Sequence, residues 1–224
     1  MTTSANSENI ASIITDRRRV LEIGAVFLTG TSKILFINIL KLHAVYIVSA
    51  ILFWSVYFAW RVKKHPDLLY YWGLSLRNAK GTFKIIGIAG GIATLSFIVY
   101  GLFNDSAIFS TNLLFVLVTY PFWGLIQQFM VMSILANNLN DFKTKKFSYY
   151  QVIFLTSFVF AIVHFPSIPL IIATFLMAVF YSVIFLKEQN IIPLGIFHGI
   201  MGGLFYYLVL GKDTWSILIS ILQR

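Results

Sequence analysis

Seven apolar runs, near residues 20–39, 43–61, 85–103, 109–138, 149–165, 167–186 and 191–210, constrain this chain more than any other feature of its sequence. About 20 apolar residues in a helix cross the roughly 30 Å hydrocarbon layer of a bilayer. Inside that layer the backbone must satisfy its own hydrogen bonds, so a run of this kind is a helix and not an open strand. The expected fold is therefore all-α, a polytopic bundle of about seven spans, with six to eight as the range. Composition agrees: 58% of the 224 residues are hydrophobic, 11% are charged, and the mean hydropathy is +0.83. A soluble domain carries about 25% charged residues.

The charges set an orientation. Arg17, Arg18 and Arg19 precede the first run, Arg61, Lys63, Lys64, Arg77, Lys80 and Lys84 fill the second connection, and Lys143, Lys145 and Lys146 fill the fourth. The alternate connections carry little beyond Lys41. The positive-inside rule then places the N-terminus in the cytoplasm and explains the net charge of +9 as loop charge, with no nucleic-acid partner implied. The expected organisation is a polar cytoplasmic tail over 1–19, then a single transmembrane domain over 20–224. Glu22 and Lys33 in the first run are expected near its two ends, within reach of the interface. The aromatic linker HPDLLYYWGLSLRNAKGTF reads as a segment lying on the cytoplasmic interface, and WSILISIL near the C-terminus is too short to cross. The run 109–138 is long for one span and contains Pro121, so it either tilts past the membrane or breaks.

Polar groups in the apolar runs are the candidate site. Gln127 and Gln128 lie side by side in GLIQQFMVMS, His164 in FVFAIVHFPS and His198 in PLGIFHGIMGG. Such groups are costly in hydrocarbon, so they face a bundle interior or a cavity. Each also has a plainer reading: an isolated histidine can be a neutral group bonded across helices. Phe160 shares a helix face with His164, and Gly202 shares one with His198. Gly195 and Gly199 form a G-x-x-x-G pair, and Gly124, one turn before Gln128, lets a neighbouring helix approach.

Over 109–210 the sequence resembles the CAAX-protease and bacteriocin-processing family, also called the Abi family of intramembrane glutamic endopeptidases. That family carries Glu-Glu-x-x-x-Arg, Phe-x-x-x-His, and His-x-x-x-Asn or a similar small residue, in that order. Here QQFMVM (127–132), FAIVH (160–164) and HGIMG (198–202) occupy those places. The resemblance implies peptide-bond hydrolysis by an activated water, with Gln127 at the general-base position, His164 holding the water, and His198 as an oxyanion donor. It puts Gln128 at the second glutamate, Met132 at the arginine and Gly202 at the asparagine. A carboxamide cannot act as a base at neutral pH, so altered or reduced activity is expected. The missing glutamate and arginine remove a buried ion pair together instead of leaving half of it.

Three functions remain open at this stage. One is a membrane endopeptidase acting on a membrane-associated or lipidated peptide. Another is a non-catalytic relative that binds a membrane polypeptide or helps it mature. The third is a small transporter, which no inverted repeat supports. Two histidines supply half of a tetrahedral zinc set, and no Cys or further span histidine completes it, so no metal or other cofactor is expected. The expected partners are membrane lipids and a membrane-tethered or lipidated peptide. The expected location is the plasma membrane of a prokaryote.

Overall fold

The computed structural model describes residues 14–76 and 79–222, the last two by backbone alone; most of the tail expected over 1–19, with Arg77 and Arg224, lies outside them. Nine helices and no strand occur among the described residues: α1 (Asp16–Ile39), α2 (His43–Lys64), α3 (Leu68–Tyr71), α4 (Ala79–Phe103), α5 (Asn112–Asn140), α6 (Tyr149–Ile162), α7 (Ile168–Glu188), α8 (Ile191–Val209) and α9 (Thr214–Leu222). Six of them, α1, α2, α4, α5, α7 and α8, are long and apolar enough to cross a membrane. The chain is an integral membrane protein with an all-α polytopic fold. The remaining run is the short helix α6, whose 14 residues extend only about 21 Å.

Local chemistry sets the boundaries. α1 starts at Asp16, earlier than the apolar pattern alone suggests, because the Thr15 hydroxyl accepts from the Arg18 amide at 3.3 Å and Asp16 sits in the positive first turn. Ser148 and Gln151 form a reciprocal capping box at the start of α6. α7 begins with Pro169 in its first turn and ends on Gln189 in the left-handed region. α5 does not break at Pro121. It continues from Asn112 to Asn140, and residues Phe129–Ala136 are wound as a π-helix in which all eight are buried.

The chain divides into two compact units, one of Met1–Ser75 with Phe129–Ile191, the other of Leu76–Gln128 with Ile192–Arg224. In the first, Phe129 packs edge-on against Trp54, Phe58 and Trp72 at centroid distances of 6.2, 5.6 and 5.0 Å. Such pairs are worth about 0.5–1.5 kcal/mol each beyond the area they bury. Trp72, 1% exposed, and Tyr71, 5% exposed, are therefore core residues and not an interfacial belt. Gly73 at φ +73 makes the turn that follows, and a Cβ there would meet the Gln189 carbonyl oxygen at 2.8 Å. Its carbonyl in turn accepts from the Ile191 amide at 2.9 Å.

Glu22 and Lys33 are held by partners within the first unit. Glu22 is 4% exposed and accepts from the Tyr57 hydroxyl and, at 2.7 Å, from Asn138 Nδ2, with Arg61 at 3.8 Å. Beside it the buried Arg19 donates to the Tyr71 hydroxyl at 2.9 Å and to Asn138 Oδ1 at 3.0 Å. Tyr71 donates onward to Asp141 at 2.9 Å. A charge this buried is tolerable only when paired. Lys33 Nζ donates to the Val163 carbonyl at 2.7 Å, placing a cation on the C-terminal end of α6.

In the second unit, Asp213 caps α9 by accepting from the Ser216 amide at 3.0 Å, and it also accepts from Asn112 Nδ2 at 2.8 Å and from the Tyr207 hydroxyl. Partial desolvation pushes its carboxyl up, but the Ser216 amide and the Tyr207 and Asn112 donors outweigh that and hold it below the usual carboxylate range.

Candidate functional site

The second unit brings α5 and α8 together along a seam of glycines. A Cβ on Gly124 would stand 2.3 Å from the Gly195 carbonyl oxygen and 2.7 Å from the Gly199 nitrogen. A Cβ on Gly199 would stand 2.3 Å from the Tyr120 carbonyl oxygen and 2.5 Å from the Pro121 nitrogen. Backbone thus lies against backbone, and proline leaves no amide hydrogen in the gap. One turn past Gly124, the Gln127 carboxamide oxygen meets His198 Nε2 at 2.8 Å. That oxygen can only accept, so Nε2 carries the proton and donates. His198 is 7% exposed, while Gln127 is half-buried.

Gln128 is wholly buried, and neither its carboxamide oxygen nor its nitrogen has a hydrogen-bond partner among the described residues. Gly202, one turn beyond His198, opens on free space: a Cβ there would have no neighbour within 4 Å. In the second unit the structure therefore joins Gln127 to His198 and leaves room for a side chain at 202.

His164 and Phe160 belong to the first unit. His164 does not lie within α6 but in the turn after it. Its Nδ1 is 2.8 Å from the Phe160 carbonyl oxygen, and its ring stands edge-on to the Phe160 ring at 5.1 Å. A carbonyl only accepts, so Nδ1 holds the proton and Nε2 keeps its lone pair in the neutral ring. Met132 is fully buried, with the Ser182 hydroxyl 3.7 Å from its sulfur. No three His, Cys, Asp or Glu side chains among the described residues are grouped so as to hold a metal ion.

One comparison bears on the residues of this site. Residues 108–204 match the family model described as type II CAAX prenyl endopeptidase Rce1-like. Over those residues the chain is similar to that family. The resemblance read from residues 109–210 thus holds at the level of a family match. No curated protein and no solved structure matches the chain.

The matched segment contains the candidate site residues Gly124, Gln127, Gln128, Phe160, His164, His198 and Gly202. It also contains Asn137 and Asn138, which sequence reasoning passed over. Asn138 links Arg19 to Glu22, and Asn137 donates to the Tyr71 carbonyl at 2.7 Å. A signal was present: two adjacent asparagines end an apolar run, and an unpaired glutamate lies inside another.

Proposed function

We propose that the chain is a membrane endopeptidase of the CAAX-protease-like kind, acting on a membrane-associated or lipidated peptide, in which water activation falls to His164. The observation that supports this is the Nδ1–H hydrogen bond from His164 to the Phe160 carbonyl. It fixes the tautomer whose Nε2 can take a proton from water, a role that neither glutamine can fill. The hydroxide formed would attack the scissile carbonyl, and the proton on His164 would then leave with the amine. Within the second unit, Gln127 keeps the proton of His198 on Nε2, a form that can donate a hydrogen bond.

Turnover in this reading is low. General-base catalysis is worth about 10²–10⁴ in rate, and an oxyanion donor of the kind absent at Gly202 about 10²–10³. The host membrane is the plasma membrane of a prokaryote, with the N-terminus in the cytoplasm. A second reading is favoured by the hydrogen bond between Gln127 and His198, which ties two neutral groups to each other: the chain binds a membrane polypeptide and does not cut it.

Cleavage of a prenylated or membrane-anchored peptide by the purified full chain separates the two. Slow cleavage that falls about a hundredfold or more in His164→Ala is expected, together with faster cleavage in Gln127→Glu. Cleavage that survives His164→Ala sinks the catalytic assignment. Peptide binding without cleavage, in the wild type and in Gln127→Glu alike, establishes the second reading in its place.

A further inference from the structure

The first unit holds a cavity of about 410 Å³ at the start of α1 and the end of α2, and the catalytic reading makes no use of it. Arg18, Arg61, Lys64, His65, Thr15 and Asp67 are among its lining residues. Three permanent cations and one carboxylate thus belong to the residues lining a space large enough for a small anionic group. Arg61 is only loosely matched by Glu22 at 3.8 Å, and its Nε has no hydrogen-bond partner among the described residues.

Two of these cations also share the Trp60 ring, with the Arg18 guanidinium 5.2 Å and the Lys64 ammonium 4.7 Å from its centre. Tryptophan between cations, at the end of a spanning helix, is the pattern of the level where headgroups lie. The same two helices carry exposed apolar side chains further along their length: Val20 is 56% exposed, Leu21 61% and Val56 67%. A free anion would use the cations alone. A phospholipid would use the cations for its phosphate and the apolar flanks for its chains.

We propose that this cavity binds the phosphate of an anionic phospholipid headgroup through Arg18, Arg61 and Lys64. The site is independent of the hydrolytic reading, since no residue in it belongs to the Rce1-like segment.

The test uses the purified full chain, with bound lipid counted by native mass spectrometry during titration with phosphatidylglycerol, with phosphatidylcholine of the same chains, and with inorganic phosphate. The Arg18→Gln/Lys64→Gln pair is expected to weaken phosphatidylglycerol binding about thirtyfold, as neutralising two surface cations does. The Lys145→Gln/Lys146→Gln pair, which removes the same charge from another loop, is expected to leave it unchanged. Lys64→Gln alone, at an exposed position, keeps the comparison open if the double variant folds poorly. Equal binding of the two lipids overturns the proposal, and so does an equal loss in the control pair. Inorganic phosphate binding as tightly as phosphatidylglycerol, with the same dependence on Arg18 and Lys64, overturns the lipid as its source and leaves a free-anion site.

Discussion

At the scale of single residues, the carboxamides of Gln127 and Gln128 lie next to each other in sequence and in opposite circumstances. Gln127 is hydrogen-bonded to His198, while Gln128 is buried and unpaired among the described residues. An unsatisfied buried polar group costs about 1–3 kcal/mol. Gln128→Met, close in volume and without the amide, is therefore expected to raise the free energy of unfolding in detergent by about that amount. Loss of stability in a denaturant titration of this variant would show that the amide is satisfied where it lies. Stability forgone at such a position is common where side chains are kept for function. The presence of four polar groups was legible from sequence, because hydrocarbon makes each of them conspicuous. The pairing of Gln127 with His198 was not, because 71 residues separate them and no local pattern reports so distant a contact.

Among elements, the crossing of α5 with α8 depends on what is missing from Gly124 and Gly199. Gly199→Ala drives a methyl into the Tyr120 carbonyl, a clash with backbone that cannot swing aside. The expected cost is about 1–3 kcal/mol, with loss of the hydrogen bond between Gln127 and His198. Gly202→Ala, on the same helix and facing free space, is expected to be neutral or stabilising by up to about 1 kcal/mol. Unfolding free energies of the two variants, measured side by side, check the contrast; equal effects would mean that the seam is not tightly packed. The glycine spacing predicted a close helix approach at these positions, but not which helix would make it. The burial of Tyr71 and Trp72 did not show, because an aromatic cluster beside a loop has the same composition whether it meets headgroups or a protein core. The unbroken course of α5 was hidden too, since a π-helical stretch has no distinctive residue pattern.

For the molecule as a whole, sidedness is the property that most needs measuring. In the first unit, contacts gather the start of α1, the end of α2, the turn at Gly73, the loop after α5 and the end of α7 at one end: Asp16 accepts from the Lys143 and Thr144 amides at 3.0 and 2.8 Å, and Asn190 donates to the Ser75 carbonyl at 2.9 Å. Arg17, Arg18, Lys63, Lys64 and Lys145 all fall in these stretches. With no native cysteine in the chain, single cysteines report position without background. Lys63→Cys and Lys145→Cys are expected to react with an impermeant maleimide only from the cytoplasmic side, and Lys41→Cys and Asp105→Cys only from the other. Labelling of all four from one side would refute the alternating topology. The gathered charges also bear on how the chain is made. Glu22 enters the membrane early in synthesis, but its partner Asn138 lies 116 residues further along. Until α5 has been translated, the first two helices hold a carboxylate and two arginines without their full set of partners. A ribosome stalled before residue 129 would thus release a product that quality control can recognise by its unsatisfied charges.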